Sequence, residues 1–390
     1  MRKNFLPFSP PLIGDEEIDA VVDTLRSGWL TTGPKTGRFE REFAEYVASP
    51  AALALNSCTA GLHTALVTLG IGPGDEVITT PMTFAASVNV IEHVGACPVL
   101  ADVEPDTLNI APDCIEAAIS PRTKAIIPVH YAGHPVDLDA INALAAQYDL
   151  AVVEDAAHAI YAKYRGRPIG SGPNPAAFSF YATKNLTTGE GGMLTGSHEF
   201  LAQARIISLH GMNQEAWKRY QSGGRWRYDV VSPGFKYNMT DIQAAIGIQQ
   251  LLKLHNMQQR RREVVESYHN AFAALDELEL PSVRPEVESA YHLYVVRLKP
   301  GRLRIGRNQF VEQLTERNIG TSVHFIPIHR HSYYRDKYGF QPDDFPVASQ
   351  NAQRILSLPL NPRMSDQDVA DVIDAVHDVV QTYKVRRFAA

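Results

Sequence analysis

Cysteine is scarce in this sequence. Cys58, Cys97 and Cys114 are the only three in 390 residues, and none belongs to a C-x-x-C pair. An odd, sparse set argues against a disulfide framework and for a reducing compartment. Long apolar runs are missing too, so no transmembrane helix is expected. Prolines at 7, 10 and 11 interrupt the start "MRKNFLPFSPPLIG" before an apolar signal core can form. The sequence thus predicts a cytoplasmic protein with no membrane partner. There is no excess of positive charge: the net charge is -6 at pH 7, which argues against a general nucleic-acid-binding surface. Internal repeats and low-complexity segments are absent. What is left is a soluble globular composition, 45% apolar and 21% charged, in a chain long enough for more than one domain.

From about residue 50 to 196, short β-rich runs alternate with helical stretches. The runs lie at 51–56, 75–80, 97–103, 124–130, 149–155, 176–181 and 191–196. Several, such as "LAVVE" and "AIIPV", are continuously apolar, which suits strands buried on both faces. Strands alternating with helices imply an α/β domain with a seven-stranded, mainly parallel sheet. After residue 196 the pattern changes. The stretch 240–275 reads as one long helix or two in sequence, with Thr240 as N-cap and Gln243 completing a capping box. It bridges into a smaller α+β part with strands at 292–298 and 321–325 and helices at 308–317 and 365–383. We expect a large domain over 1–250, with segment 1–45 near its site, and a small domain over 251–390. The polar, aromatic segment 213–235 reads as a long loop.

In open α/β sheets, ligands bind at the carboxyl ends of the strands. After the first run, "NSCTAGLHTAL" opens a helix with small residues, and a helix N-terminus suits a phosphate. Helix capping by Ser57 or Thr59 explains that turn equally well. Phe84 follows the second run, either to stack on a planar ligand or to fill core. Glu154, Asp155 and His158 follow the fifth, and an acid emerging from an apolar strand needs a cationic partner. Lys184 follows the sixth, in "SFYATKNLTTGEGG", bracketed by residues suited to a tight backbone. A phosphate cradle, an aromatic plate, a carboxylate and a lysine at one sheet edge are the groups that hold pyridoxal phosphate (PLP). His324, His329 and His331 match no zinc spacing, and no metal is expected.

These residues carry a resemblance. The stretches "SGWLTTGPKTGRFEREFA", "NSCTAGLHTAL", "PVHYAGHPVDLDAI", "VVEDAAHAIYAKYRGRPIGS", "FSFYATKNLTTGEGGML" and "YNMTDIQAAIGIQQL" resemble the DegT/StrS family of PLP-dependent nucleotide-sugar aminotransferases over essentially the whole length. The resemblance implies the fold-type I aminotransferase architecture. Within the family, "SGWLTTGPK", "PVHYAG" and "EDAAHA" are most similar to enzymes that aminate C4 of a UDP-linked keto sugar, with the UDP-4-amino-4-deoxy-L-arabinose synthases the nearest type. Tyr181, where that type has histidine, Phe84, where it has tryptophan, and the segment 324–340 depart from it.

The resemblance also implies roles. Lys184 would be the Schiff-base lysine and proton shuttle, Asp155 would pair with the pyridine nitrogen, and His158 would lie near the ring hydroxyl. Thr59, Ala60 and Ser179 would contact the phosphate and Phe84 would stack on the ring. Asn238 would reach the cofactor of a neighbouring subunit, making a homodimer with shared active sites the functional unit. Trp29, Thr31, Tyr181, Arg225, His324 and His329 are the candidate substrate contacts. A lysine at 184, rather than the histidine of sugar-dehydrating relatives, favours amino transfer from L-glutamate to a nucleotide-linked keto sugar by ping-pong chemistry. C3 keto-sugar or ketoinositol amination is the rival within transaminases, and a non-catalytic PLP-binding sensor the rival outside them.

Overall fold

The computed structural model describes residues 2–213 and 228–385. All seven expected runs lie in the main sheet. They form β1 (Ala51–Leu55), β2 (Glu76–Thr79), β3 (Cys97–Leu100), β4 (Thr123–Ile127), β5 (Ala151–Val152) continued by β6 (Glu154–Asp155), β9 (Ala176–Ser179) and β10 (Gly192–Gly196). A small hairpin of β7 (Lys163–Tyr164) and β8 (Arg167–Pro168) lies between β6 and β9 and pairs with β12 (Val287–Glu288). β3, β2, β4 and β5 pair side by side in parallel. At Val153 the fifth run passes to the next neighbour, and β6 pairs in parallel with β9. Val153 N–H to Ile126 O (3.0 Å) and Asp155 N–H to Pro128 O (2.9 Å) stitch the two halves together. β10 runs antiparallel to both β9 and β1, so the sheet is mixed rather than wholly parallel.

This order sends the carboxyl ends of β1, β2, β4, β6 and β9 to one edge, together with the start of β10. The residues there follow strands too apolar to leave the core: Leu53, Leu55, Val77, Ile78, Ile126, Ile127 and Val153 are almost wholly buried. The helix Cys58–Thr68 starts at the same edge, capped by Ser57, whose Oγ accepts from Ala60 N–H. Gly192 permits that start: a Cβ there would lie 2.4 Å from the carbonyl carbon of Ser57.

The long helix is a single element, Asp241–Phe272, with the expected capping box between Thr240 and Gln243. Its Leu251, Leu254 and Met257 pack in the core around β9 and β10. Val264, Val265, Tyr268 and Phe272 pack in a second core, with the antiparallel sheet β11 (Leu278–Glu279), β13 (Tyr294–Leu298), β14 (Ile355–Leu358) and the helices Arg307–Glu316 and Asp366–Tyr383. The strand expected at 321–325 is not one. Ser322 makes only an isolated bridge to Ser357, and the third strand of that sheet is β14. The chain leaves the sheet after Ser322, and the next residues line the cavity described below. The loop read at 213–235 lies outside the described residues from 214 to 227. Among the described residues no helix is long and apolar enough to cross a membrane.

Candidate active site

The shared strand edge opens into a cavity of about 610 Å³. Lys184 stands on its wall because the chain after β9 folds tightly back on itself. Phe180 O accepts from Thr188 N–H (2.9 Å) and from Thr187 Oγ (3.1 Å). Phe180 N–H reaches Gly191 O and Lys184 N–H reaches Tyr181 O, both at 2.9 Å. The threonines and glycines around the lysine therefore close a loop that holds it against the cavity. Among the described residues its ammonium makes no hydrogen bond or ion pair. Burial lowers its pKa to about 8, and the neighbouring Cys58 and Asp155 offset only part of that shift.

Asp155, the last residue of β6, is buried and lines the same cavity. Its Oδ2 accepts from Ser87 Oγ at 2.7 Å, and its Oδ1 from Ala157 N–H at 3.1 Å. Ser87 is in turn joined to Thr83 Oγ1 at 2.7 Å. The Cys58 thiol donates to Ala177 O at 3.3 Å. Burial, with Asp155 nearby, pushes its pKa well up, so it remains a neutral thiol.

Three histidines stand around Lys184. His158 packs on His292 with ring centroids 4.2 Å apart, and on Phe325 at 5.9 Å. Burial first, and then the charge of Lys184, lower the pKa of His158 well below the ordinary value, and the same holds for His324, at about 4. His292 is lowered by burial, then by His158 and Lys184. All three are neutral at physiological pH. Asn185 donates to Ala290 O (2.9 Å), which turns its carbonyl oxygen toward His292 Nδ1 at 3.0 Å. His292 therefore carries its proton on Nδ1. The residue after Lys184 thus anchors a histidine from beyond the long helix.

The residues fit the expected cofactor. Among the described residues His158 Nδ1 is buried with no hydrogen-bond partner, and a buried polar atom left so costs about 1–3 kcal/mol unless something in the cavity meets it. Phe84 is 66% exposed at the cavity wall, so it fills no core and offers a free aromatic face. Thr59 and Ser179 also line the cavity. Ala60 does not, its N–H being taken by the Ser57 cap, which leaves the amides of Cys58 and Thr59 at the helix start without an intrahelical acceptor. A polar atom for a ring substituent, a carboxylate, an amine, an aromatic plate and a helix N-terminus thus meet in one space.

Other candidates are placed differently. Tyr181 and His324 line the cavity, His324 with Nδ1 2.8 Å from Ser357 Oγ. His329 does not; it is buried beside Ser349 Oγ (2.9 Å) and Phe345. Trp29, Thr31 and Asn238 are also off the cavity wall. Trp29 Nε1 donates to Thr32 O (3.1 Å) and Asn238 Nδ2 to Thr32 Oγ1 (2.6 Å), so the "SGWLTTGPK" and "YNMTD" segments meet each other. Arg225 lies outside the described residues. Sequence reasoning missed Ser87, Asn185, His292 and Phe325 as site residues. Ser87 sits three residues after Phe84, a spacing that offers one helical face; the others carry no local signal. Among the described residues no grouping of histidine, cysteine and acid suits a metal ion.

Comparisons with known proteins agree with this geometry. Residues 11–377 match the model of the DegT/DnrJ/EryC1/StrS aminotransferase family. The spore coat polysaccharide biosynthesis protein SpsC of Bacillus subtilis is 53% identical over 97% of this chain and 98% of its own. Spr1654 of Streptococcus pneumoniae superposes with a TM-score of 0.91 in its PMP form, at 38% identity over 97% of this chain and 99% of its own, and with 0.90 in its PLP form. The sugar aminotransferase CalS13 of Micromonospora echinospora superposes with 0.86 at 30% identity, covering 95% of this chain and 99% of its own.

Proposed function

The chain belongs to the DegT/DnrJ/EryC1/StrS aminotransferase family and is a PLP-dependent enzyme of the fold-type I class. From that premise we propose that it moves the amino group of L-glutamate to a keto group of a nucleotide-linked sugar. The observation that carries the reading is Lys184, an unpaired amine with its pKa brought to about 8, facing the same cavity as the buried carboxylate of Asp155. A sensor without turnover has no need of a lysine so tuned.

PLP, when bound, supplies an aldehyde that condenses with primary amines and a ring that accepts the electron pair left when an α-proton is removed. The protein supplies the rest. Lys184 Nζ would take up and release the proton of the substrate's α-carbon. With a pKa of about 8, roughly a tenth of its amines are neutral at pH 7, against fewer than about one in a thousand for an unshifted lysine. Asp155, fixed by Ser87 and Ala157, presents a carboxylate to the ring nitrogen. His158, neutral, offers Nδ1 to the ring hydroxyl, and Phe84 offers its face. Thr59, Ser179 and the helix start hold the phosphate. Tyr181 and His324 at the wall contact the sugar.

We assign the sugar as UDP-linked and the accepting carbon as C4, which rests on the likeness of "SGWLTTGPK", "PVHYAG" and "EDAAHA" to enzymes of that type. The likeness to SpsC supports a place in polysaccharide biosynthesis. A homodimer is proposed as the working unit, with the Trp29–Thr31 loop and Asn238, which do not line their own cavity, serving the partner's. The test is direct. Purified protein with PLP, L-glutamate and a UDP-4-keto sugar should form 2-oxoglutarate and a UDP-amino sugar in equal amounts by mass spectrometry. A ketoinositol accepted while the UDP-keto sugar is refused would overturn the substrate assignment.

A further inference from the structure

A second concavity, of about 590 Å³, lies among the helices Arg307–Glu316 and Pro346–Ala352 and the turn after β13. None of its wall residues lines the first cavity. Among the described residues four cations stand around it, Lys299, Arg307, Arg330 and Arg354, with Asp343 the only acid on the wall. Arg354 pairs with Glu279 at 2.6 Å, a carboxylate that Arg297 shares. Among the described residues the other three have no carboxylate within ion-pair distance. Arg307 donates to Ile355 O (3.0 Å) and Asn308 Oδ1 (2.7 Å), and Arg330 to Ser349 O at 3.4 Å, so neutral oxygens hold both guanidinium groups in place without cancelling their charge. Burial lowers the pKa of Arg307, with no acid to oppose it.

The sequence concentrates charge here against its overall balance. Residues 299–307, "KPGRLRIGR", carry four cations and no acid in a chain of net charge -6, and the first and last of the four, Lys299 and Arg307, stand on this wall. Cations that merely keep a surface solvated spread among acids and stand on convex ground. Here three uncancelled charges converge on a space large enough for a nucleotide, and two of them are forks suited to paired oxygens. Lysine alone would give a point charge; fixed guanidinium groups give geometry as well.

We propose that this groove binds a small phosphate-bearing ligand, a second site apart from the catalytic cavity. The ligand's phosphate oxygens would lie between Arg307 and Arg330, with Lys299 contributing charge. A free polyphosphate and a nucleotide share that chemistry, and the experiment separates them.

Calorimetric titration of the PLP-loaded protein with inorganic pyrophosphate, and separately with UTP, tests the assignment. Pyrophosphate should bind saturably at one site per chain, more weakly as salt rises. The Arg307→Gln/Arg330→Gln variant should bind it at least about tenfold more weakly, with an unchanged far-UV circular dichroism spectrum. UTP binding tighter than pyrophosphate, with the gain also lost in the variant, identifies a nucleotide; equal binding identifies the phosphates alone. Should the double variant not fold, Lys299→Gln, whose side chain makes no hydrogen bond or ion pair among the described residues, should weaken pyrophosphate about threefold. No saturable binding, or variants that bind as well as the unaltered protein, would overturn the proposal.

Discussion

Ser87 Oγ lies 2.7 Å from Asp155 Oδ2, the serine wholly buried and the aspartate buried but for its edge on the cavity. A carboxylate only accepts, so the serine must donate its proton to Asp155 and take its own hydrogen bond from Thr83 Oγ1. That chain sets the direction of the carboxylate. Ser87→Ala should remove a bond to a charged acceptor worth about 1.5–3 kcal/mol, and PLP affinity should fall about ten- to a hundredfold. Spectrophotometric titration of the cofactor-free protein with PLP measures it. Unchanged affinity would mean that Asp155 does not hold the ring.

Lys184 should make the cofactor-free protein less stable than it need be. Its folded pKa of about 8 lies below the unfolded value, so between pH 8 and about 10.5 the unfolded chain binds more protons and stability rises with pH. Below pH 8 both states are protonated and the full penalty of the half-buried ammonium applies. Lys184→Met should therefore raise the melting temperature at pH 7, and the gap from the unaltered protein should close as pH passes 8 toward 10.5. A gap independent of pH would show that the lysine is not perturbed.

Acid should act through the buried histidines. His324 and His329 have pKa values lowered to about 4, burial being the main cause in each. From pH 6.5 down to 4 the unfolded chain takes up protons that the folded chain refuses, so stability falls as pH drops through that window. His329→Gln, away from the cavity, should flatten the fall measured by denaturant titration at stepped pH without changing activity at pH 7.5. A slope as steep as before would rule out this histidine as a cause.

Asp241 caps the helix Pro34–Tyr46, which begins inside the "SGWLTTGPK" segment. Its Oδ1 accepts from Gly33 N–H (2.8 Å), Thr36 N–H (2.8 Å) and Thr36 Oγ1 (2.6 Å), and its Oδ2 from Lys35 N–H (3.0 Å). Asp241→Ala would strand four donors, and we expect a loss on the order of 3 kcal/mol in unfolding free energy by urea titration. A loss below about 0.5 kcal/mol would mean that water replaces the carboxylate freely.

Much of this was legible in the sequence, for identifiable reasons. Several of the seven strands were readable because they are buried on both faces and so largely apolar, as in β1 and β10, which hold no exposed residue. Lys184 and Asp155 reach one cavity because each follows such a strand at the same edge. The Thr240 capping box was readable because its partners are three residues apart. The strand expected at 321–325 failed because "TSVHF" has β composition but its His324 and Phe325 serve the cavity, while "ILSL", with less β-branching, completes the sheet. His292 and Phe325 reach the site only through the packing of the second core on the first, which no local pattern encodes. His329 carried the polarity of a contact residue and proved to be a core histidine held by Ser349.

The central claim is that Lys184 and Asp155 serve a PLP cofactor that takes its amino group from glutamate. The visible absorption spectrum of the PLP-loaded protein, recorded before and after adding L-glutamate with no sugar present, tests it most directly. The account predicts a visible band that gives way to the ultraviolet band of pyridoxamine phosphate, with 2-oxoglutarate released in proportion, and no such change in Lys184→Ala. A protein that acquires no visible band with PLP, or one whose band glutamate leaves untouched, would contradict it.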